Sequence, residues 1–183
     1  MVAPTLAVLT QSHRASLERL RSSVLFSMVC ERGGVMVAKG PSTEGGVFIS
    51  AVLRQDREVV TALAPPADEV SLATMRRVVG EVFRLRFGES YAVGDVTRLA
   101  RAACASQRFG LTPGCARVAE AFIRAALGEV RILEGIPQAE VERVALQIPM
   151  YVVEELGMSA HAIDQLVAGL EHSAADGSGE VGR

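Results

Sequence analysis

The chain has 183 residues, a formal net charge of −2 and an apolar fraction of 49%. A charge this small creates no strong field that would attract nucleic acid or an anionic membrane, and the apolar runs are much shorter than the roughly 20 residues of a membrane-spanning helix. No basic segment precedes an apolar stretch at the N-terminus, so we predict no signal peptide and expect a cytoplasmic protein without membrane contact.

Cysteine and histidine usage predicts neither a metal site nor a cofactor. The three cysteines are widely spaced, form no C-x-x-C motif and are odd in number, which disfavours a disulfide framework and a zinc site. We expect them to be buried apolar thiols in a reducing compartment. The histidines have no neighbouring ligand at metal-binding spacing. The cysteines are Cys30, Cys104 and Cys115.

The first part of the chain predicts one helix followed by strands. Apolar residues recur at three- and four-residue steps over 5–23, as on one face of a helix. The β-branched run 24–38 contains two consecutive glycines, which can adopt the positive φ of a tight turn, and it therefore indicates a hairpin. The runs 47–53 and 59–63 are two further strand candidates.

The segment 47–63 also permits another interpretation. Its apolar residues fall on one side of a helical wheel, and the turn between its two apolar runs contains no glycine. A single helix over 47–63 therefore remains an alternative to two strands.

After residue 66 the sequence pattern becomes helical to about residue 171. Apolar stripes with helical spacing are separated by residues that favour the start or the end of a helix. A proline inside a helix removes one backbone hydrogen bond and bends it. The boundary signals are Gly88 as a stop, Asp95 and Ser159 as N-caps, Pro113 and Pro137 as first helical positions, and Pro149 as a kink.

These elements predict an α+β fold. A small antiparallel sheet with flanking helices would form residues 1–88, and a helical bundle would form residues 89–171. Residues 172–183, rich in Gly, Ser and Ala, are expected to be a disordered tail.

A helix–turn–helix within 149–172 would make the protein a DNA-binding regulator. Gly157 stands where the motif needs a sharp turn, and Val153, Ile163 and Leu166 stand at its packing positions. However, the second helix has no Arg or Lys to reach phosphates and bases, so we keep DNA binding as an alternative only.

Paired acids and a possible Cys–His pair do not make a convincing catalytic site. Glu154 and Glu155 are expected on a solvated helix face, and Cys104 and Cys115 accompany alanine-rich stripes that are typical of a core. We therefore favour a protein without enzymatic activity.

The apolar excess of the C-terminal helices favours an interaction or regulatory protein, acting as a homo-oligomer or an adaptor. Apolar residues extend beyond one face of several helices over 114–170, and replacing Ile148 or Val152 with Asp would then dissociate the assembly. A small-molecule sensor or carrier, with a pocket between sheet and helices, is a further alternative. The expected interface residues are Phe122, Leu127, Ile132, Leu146, Ile148, Tyr151 and Val152.

Overall fold

A computed structural model describes residues 40–176, with side chains described as far as residue 172. Within this range the chain folds into α-helices joined by short loops and 3₁₀ turns. The helices are α1 (Glu44–Leu53), α2 (Arg57–Ala62), α3 (Glu69–Phe87), α4 (Val93–Ala105), α5 (Ala116–Ala126), α6 (Gln138–Ala145), α7 (Gln147–Glu155) and α8 (Ala160–Asp176). The 3₁₀ turns are Arg108–Gly110, Pro113–Cys115 and Val130–Leu133.

The predicted α+β fold is wrong for residues 40–176, because no strand occurs there. The segment 47–53 belongs to α1 and 59–62 belongs to α2, and the single helix over 47–63 is also wrong since Gln55, at φ +60°, separates the two helices. The predicted helix over 5–23 and the hairpin over 24–38 lie outside the described residues.

The apolar run of α1 forms a helix because its first turn is capped and most of its side chains enter the core. The hydroxyl of Thr43 accepts a hydrogen bond from the backbone N–H of Gly46 at 3.0 Å, as an N-cap does. Phe48, Ile49 and Leu53 are buried. A short, nearly continuous apolar run fits a buried strand as well as a helix, and its pattern alone could not decide between them, which explains the error in the sequence interpretation.

Several predicted helix boundaries agree with the structure. The α3 helix ends at Gly88, whose φ of +78° is typical of a glycine that terminates a helix. The hydroxyl of Ser159 accepts from the N–H of Ala162 at 3.2 Å at the start of α8. Asp95, by contrast, lies inside the first turn of α4, which has Ala92 at its N-cap position.

Pro137 and Pro149 lie close to the helix start and the helix bend that the sequence predicted for them. Pro137 precedes α6 as its N-cap residue. The bend expected at Pro149 appears as an interruption at Leu146, between α6 and α7. Because Pro149 has no N–H, the carbonyl of Ala145 cannot have its usual helical partner, and the helix breaks one turn before the proline.

One hydrophobic core unites the described helices other than α2, which has no buried residue. Ile49 of α1 and Phe83 of α3 belong to the same cluster as Ile123 of α5, Ile148 of α7 and Val167 of α8. Side chains from both sides of the boundary expected between residues 88 and 89 therefore share this core.

None of the described helices combines the length and the apolar character needed to cross a bilayer. The last helix continues to Asp176, beyond the start expected for the tail at residue 172.

Candidate binding cleft

Two of the expected interface residues are core residues. Ile148 and Val152 lie on α7 with 0% of their surface exposed. An Asp at either position would bury an unpaired charge, which costs far more than a surface contact contributes. We therefore expect such a substitution to unfold the protomer rather than to dissociate an assembly.

The other expected interface residues are only partly covered. Phe122 of α5 stacks edge-to-face on Phe83 of α3, with 6.0 Å between the ring centroids. Three more pack against the core while keeping part of their surface exposed, and these are Leu127, Leu146 and Tyr151. Ile132 differs from them, because it lies in the 3₁₀ turn Val130–Leu133 and faces a cleft.

This cleft lies between α4, α5 and the loop that contains Val130–Leu133, and its volume is about 620 Å³. The cleft combines aliphatic side chains with charged ones. Ile132 and Ile136 are half-buried, whereas Arg101 and Arg117 are exposed. The lining residues are Arg101, Ala116, Arg117, Glu120, Ala121, Arg124, Ile132, Glu134, Gly135 and Ile136.

One arginine of the cleft is fixed by an ion-pair network. Nη2 of Arg124 lies 2.5 Å from Oε2 of Glu129, and its Nη1 lies 3.8 Å from Oε1 of Glu120. The hydroxyl of Tyr91 also donates to Glu129. The hydrogen bond from Arg124, followed by that from Tyr91, lowers the pKa of Glu129, and the hydrogen bond to Glu129 raises the pKa of Tyr91. Arg124 therefore has little freedom to bind another anion.

The side chains of the other two arginines have no partner among the described residues. Neither guanidinium group, that of Arg101 or that of Arg117, makes a hydrogen bond or an ion pair with another described residue. An arginine presents a planar fork of donors that matches a carboxylate or a phosphate. Together with Ile132 and Ile136, these two guanidinium groups give the cleft an apolar part and a cationic part.

The helix–turn–helix expected within 149–172 corresponds to α7, a turn and α8. Gly157 has a φ of +62°, and both Val153 and Ile163 are buried. Asp164, on the polar face of α8, however, contacts α1 instead of lying free in solvent. Asp164 accepts a hydrogen bond from the hydroxyl of Ser50 and lies 3.1 Å from Nη1 of Arg54. A helix that reads DNA needs such a face free for the groove.

The sequence interpretation missed the role of Glu171, which is 8% exposed and holds the start of α1. Its Oε2 accepts from the N–H and the hydroxyl of Ser42 at 2.7 and 2.9 Å, and its Oε1 accepts from the N–H and the hydroxyl of Thr43 at 3.0 and 2.6 Å. No local signal reveals this contact, because Ser42 and Glu171 are 129 positions apart.

Two opposing effects set the pKa of Glu171. Burial raises it, but the hydrogen bonds from Thr43 and Ser42 together lower it by more, so the carboxylate has a pKa below its usual value. Gly46 leaves the space that this carboxylate occupies, since a Cβ atom there would lie 1.8 Å from Oε1. These interactions identify Glu171 as a structural residue that anchors α1 to α8.

The structure brings together two of the three cysteines. The Sγ atoms of Cys104 and Cys115 are 2.6 Å apart in the interior. Burial, followed by the hydrogen bond with Cys115, raises the pKa of Cys104 to about 12. Cys30 lies outside the described residues. Among residues 40–172, no group of three His, Cys, Asp or Glu side chains is placed to hold a metal ion.

Comparison with known proteins adds no relative. No protein-family model, curated protein or solved structure matches the chain.

Proposed function

We propose that this chain is a cytosolic, non-enzymatic interaction protein that binds an acidic, aliphatic segment of a partner protein in the cleft between α4 and α5. The observation that carries the proposal is the presence, beside Ile132 and Ile136, of the guanidinium groups of Arg101 and Arg117, which pair with no described residue. A carboxylate flanked by Leu or Ile side chains matches both parts of such a surface.

The exposure of the cleft favours a polypeptide segment over a small molecule. Sites for small ligands usually enclose most of the ligand surface, whereas most of the side chains that line this cleft are exposed or half-exposed and Ala121 is buried. Val130, which is 69% exposed and lies in the same turn as Ile132, adds apolar surface nearby. A segment that runs along the surface can use such an open site.

The volume of the cleft supports a second candidate function, a carrier or sensor of an apolar carboxylic acid. About 620 Å³ lies within the range of small-molecule sites. This ligand would use the same two arginines. Fatty acids of increasing length, added in a thermal-shift assay, would raise the melting temperature if this candidate were correct.

A labelled peptide of alternating glutamate and leucine pairs tests the interaction function. We expect it to bind the full chain with an affinity that falls as salt is added, because the contact depends on exposed charges. The double variant Arg101→Glu/Arg117→Glu should weaken binding at least about tenfold, since it places like charges opposite each other. Fluorescence anisotropy measures both effects.

A matched double variant controls for the change in net charge. Arg57 and Arg143 are exposed, lie outside the cleft, and have no ion pair with another described residue. Arg57→Glu/Arg143→Glu should therefore leave the peptide affinity unchanged. Equal losses in the two double variants would show that binding depends on overall charge and would contradict the proposed cleft.

A further inference from the structure

The two described cysteines occupy a position that joins the walls of the cleft. Cys104 lies in the last turn of α4, and Cys115 ends the 3₁₀ turn that precedes α5. Arg101, one helical turn before Cys104, and Arg117, two residues after Cys115, both line the cleft. The fold thus holds a pair of thiols at the base of the two arginine-bearing elements.

The distance between the two sulfur atoms favours a covalent bond. Their separation is 2.6 Å, against about 2.05 Å in a disulfide. The usual obstacle to a disulfide is a backbone that keeps the two side chains apart, and here the backbone already brings them together. The sulfur of Cys115 also lies 2.9 Å from the carbonyl oxygen of Thr112, which orients it.

We propose that Cys104 and Cys115 form a reversible dithiol–disulfide couple, oxidised by low-molecular-weight disulfides such as oxidised glutathione. The cross-link itself does not depend on the proposed function. Its effect on ligand binding does, because that effect requires the cleft to be the binding site.

The chemistry is a thiol–disulfide exchange in two steps. The thiolate of Cys115, which is 9% exposed whereas Cys104 is fully buried, attacks one sulfur of the small disulfide and releases one small thiol. The thiolate of Cys104 then attacks the sulfur of Cys115 and releases the second small thiol. The protein loses two hydrogen atoms, and the two small thiols that leave carry them.

Burial makes the second step slow at neutral pH and faster in alkali. Burial, and then the hydrogen bond with Cys115, raises the pKa of Cys104 to about 12. Because only the thiolate attacks, the small thiolate fraction of Cys104 limits closure of the cross-link. A slow oxidation suits a pair that responds to a lasting change in redox conditions.

The cross-link would hold a loop whose backbone conformation is uncommon. Between the two cysteines, Gln107 and Phe109 have φ values of +54° and +57°. Left-handed conformations of residues other than glycine cost free energy and persist only where the surrounding structure enforces them. A disulfide across this loop restricts the unfolded chain, and we expect it to raise the melting temperature by about 5–10 °C.

Peptide mapping of the full chain tests the proposal directly. Trypsin cleaves after Arg108, so a disulfide between the two cysteines would join the peptides 102–108 and 109–117. The protein is incubated in its native state with oxidised glutathione, in the wild type and in a Cys30→Ser variant that retains only the two cysteines of the couple. In both proteins we expect the joined peptides, the loss of two free thiols, and their recovery with dithiothreitol.

The Cys104→Ser variant is the matched control, since it should stop at a mixed disulfide between Cys115 and glutathione. The proposal is overturned if the Cys30→Ser protein keeps both thiols after prolonged oxidation at alkaline pH. It is equally overturned if the wild type joins the peptide 22–32, which carries Cys30, to either partner instead.

A separate measurement tests whether the disulfide changes peptide binding in the cleft. The affinity of the glutamate–leucine peptide for the oxidised and the reduced Cys30→Ser protein should differ at least threefold, because the disulfide fixes the spacing of Arg101 and Arg117. Equal affinities would overturn control of the cleft but not the couple. A peptide that binds neither form would contradict the proposed function, while the mapping result would still decide the couple.

Discussion

A single carboxylate, that of Glu171, connects the beginning of the described chain to its last helix. It accepts four hydrogen bonds from Ser42 and Thr43. Carboxylates with this many donors prefer to stay ionised. The first turn of α1 therefore depends on a residue of α8 as much as on its own N-cap, Thr43.

We predict that Glu171→Gln lowers the free energy of unfolding by about 1–3 kcal/mol at neutral pH, because an amide NH₂ group would face backbone and hydroxyl donors. Urea denaturation measures the loss. Glu89→Gln is the matched control, since Glu89 is exposed and has no hydrogen bond with a described residue. Equal stability of the Glu171→Gln variant and the wild type would contradict the anchoring role.

The same residue predicts how stability depends on pH. The pKa of Glu171 in the folded protein is below its usual value of 4.5, as burial raises it less than the bonds from Thr43 and Ser42 lower it. Its contribution is therefore complete above about pH 4.5 and is lost as the pH falls through the lower folded pKa. Urea midpoints measured between pH 7 and acid should fall less steeply for Glu171→Gln than for the wild type.

At the scale of elements, the sequence predicts best those helices whose limits are marked by local residues. Gly88 and Ser159 mark an end and a start correctly, because terminating and capping interactions involve neighbouring residues. The error over 47–53 has the opposite cause. That apolar run is a helix held by Thr43 locally and by Glu171 from a distant helix, and no pattern within the run reports the second contact.

The candidate cleft could not be predicted from sequence for a similar reason. Only Ile132 among its lining residues was expected in an interface. Arg101 and Arg117 belong to different helices, and their shared position depends on how α4 and α5 pack. Ile148 and Val152, on the apolar stripe of their helix, were expected at an interface because such side chains look alike in sequence whether the protein core or a partner covers them.

The position of Ile148 in the core and that of Ile132 in the cleft predict different effects of truncation. Ile148→Ala should lower the free energy of unfolding by about 2–5 kcal/mol, as is usual when a fully buried side chain leaves a cavity. Ile132→Ala, at a half-buried cleft position, should lower the free energy of unfolding by less than about 1 kcal/mol. It should, however, weaken binding of the glutamate–leucine peptide. Urea denaturation and anisotropy separate the two outcomes, and a reversal of this order would contradict the assignments of core and cleft.

The proposed cleft would accept an acidic segment of another protein or of a second copy of this chain. Among the described residues, the exposed large apolar side chains are Val70, Val93 and Val130. Stable homodimers bury extended apolar surfaces, and three separate valines do not form one. The described residues therefore offer no extended homodimer interface, and on that basis we predict a mass of 19.4 kDa, that of one chain, in size-exclusion chromatography with light scattering.

A doubled mass would contradict this prediction, and the charge-reversed variants would then identify the contact. If Arg101→Glu/Arg117→Glu restores the monomer while Arg57→Glu/Arg143→Glu does not, the cleft binds an acidic segment of a second copy. If neither variant changes the mass, self-association uses a surface other than the cleft. The same two variants thus test the site and the identity of its occupant, because a charge reversal disrupts only the contacts that face it.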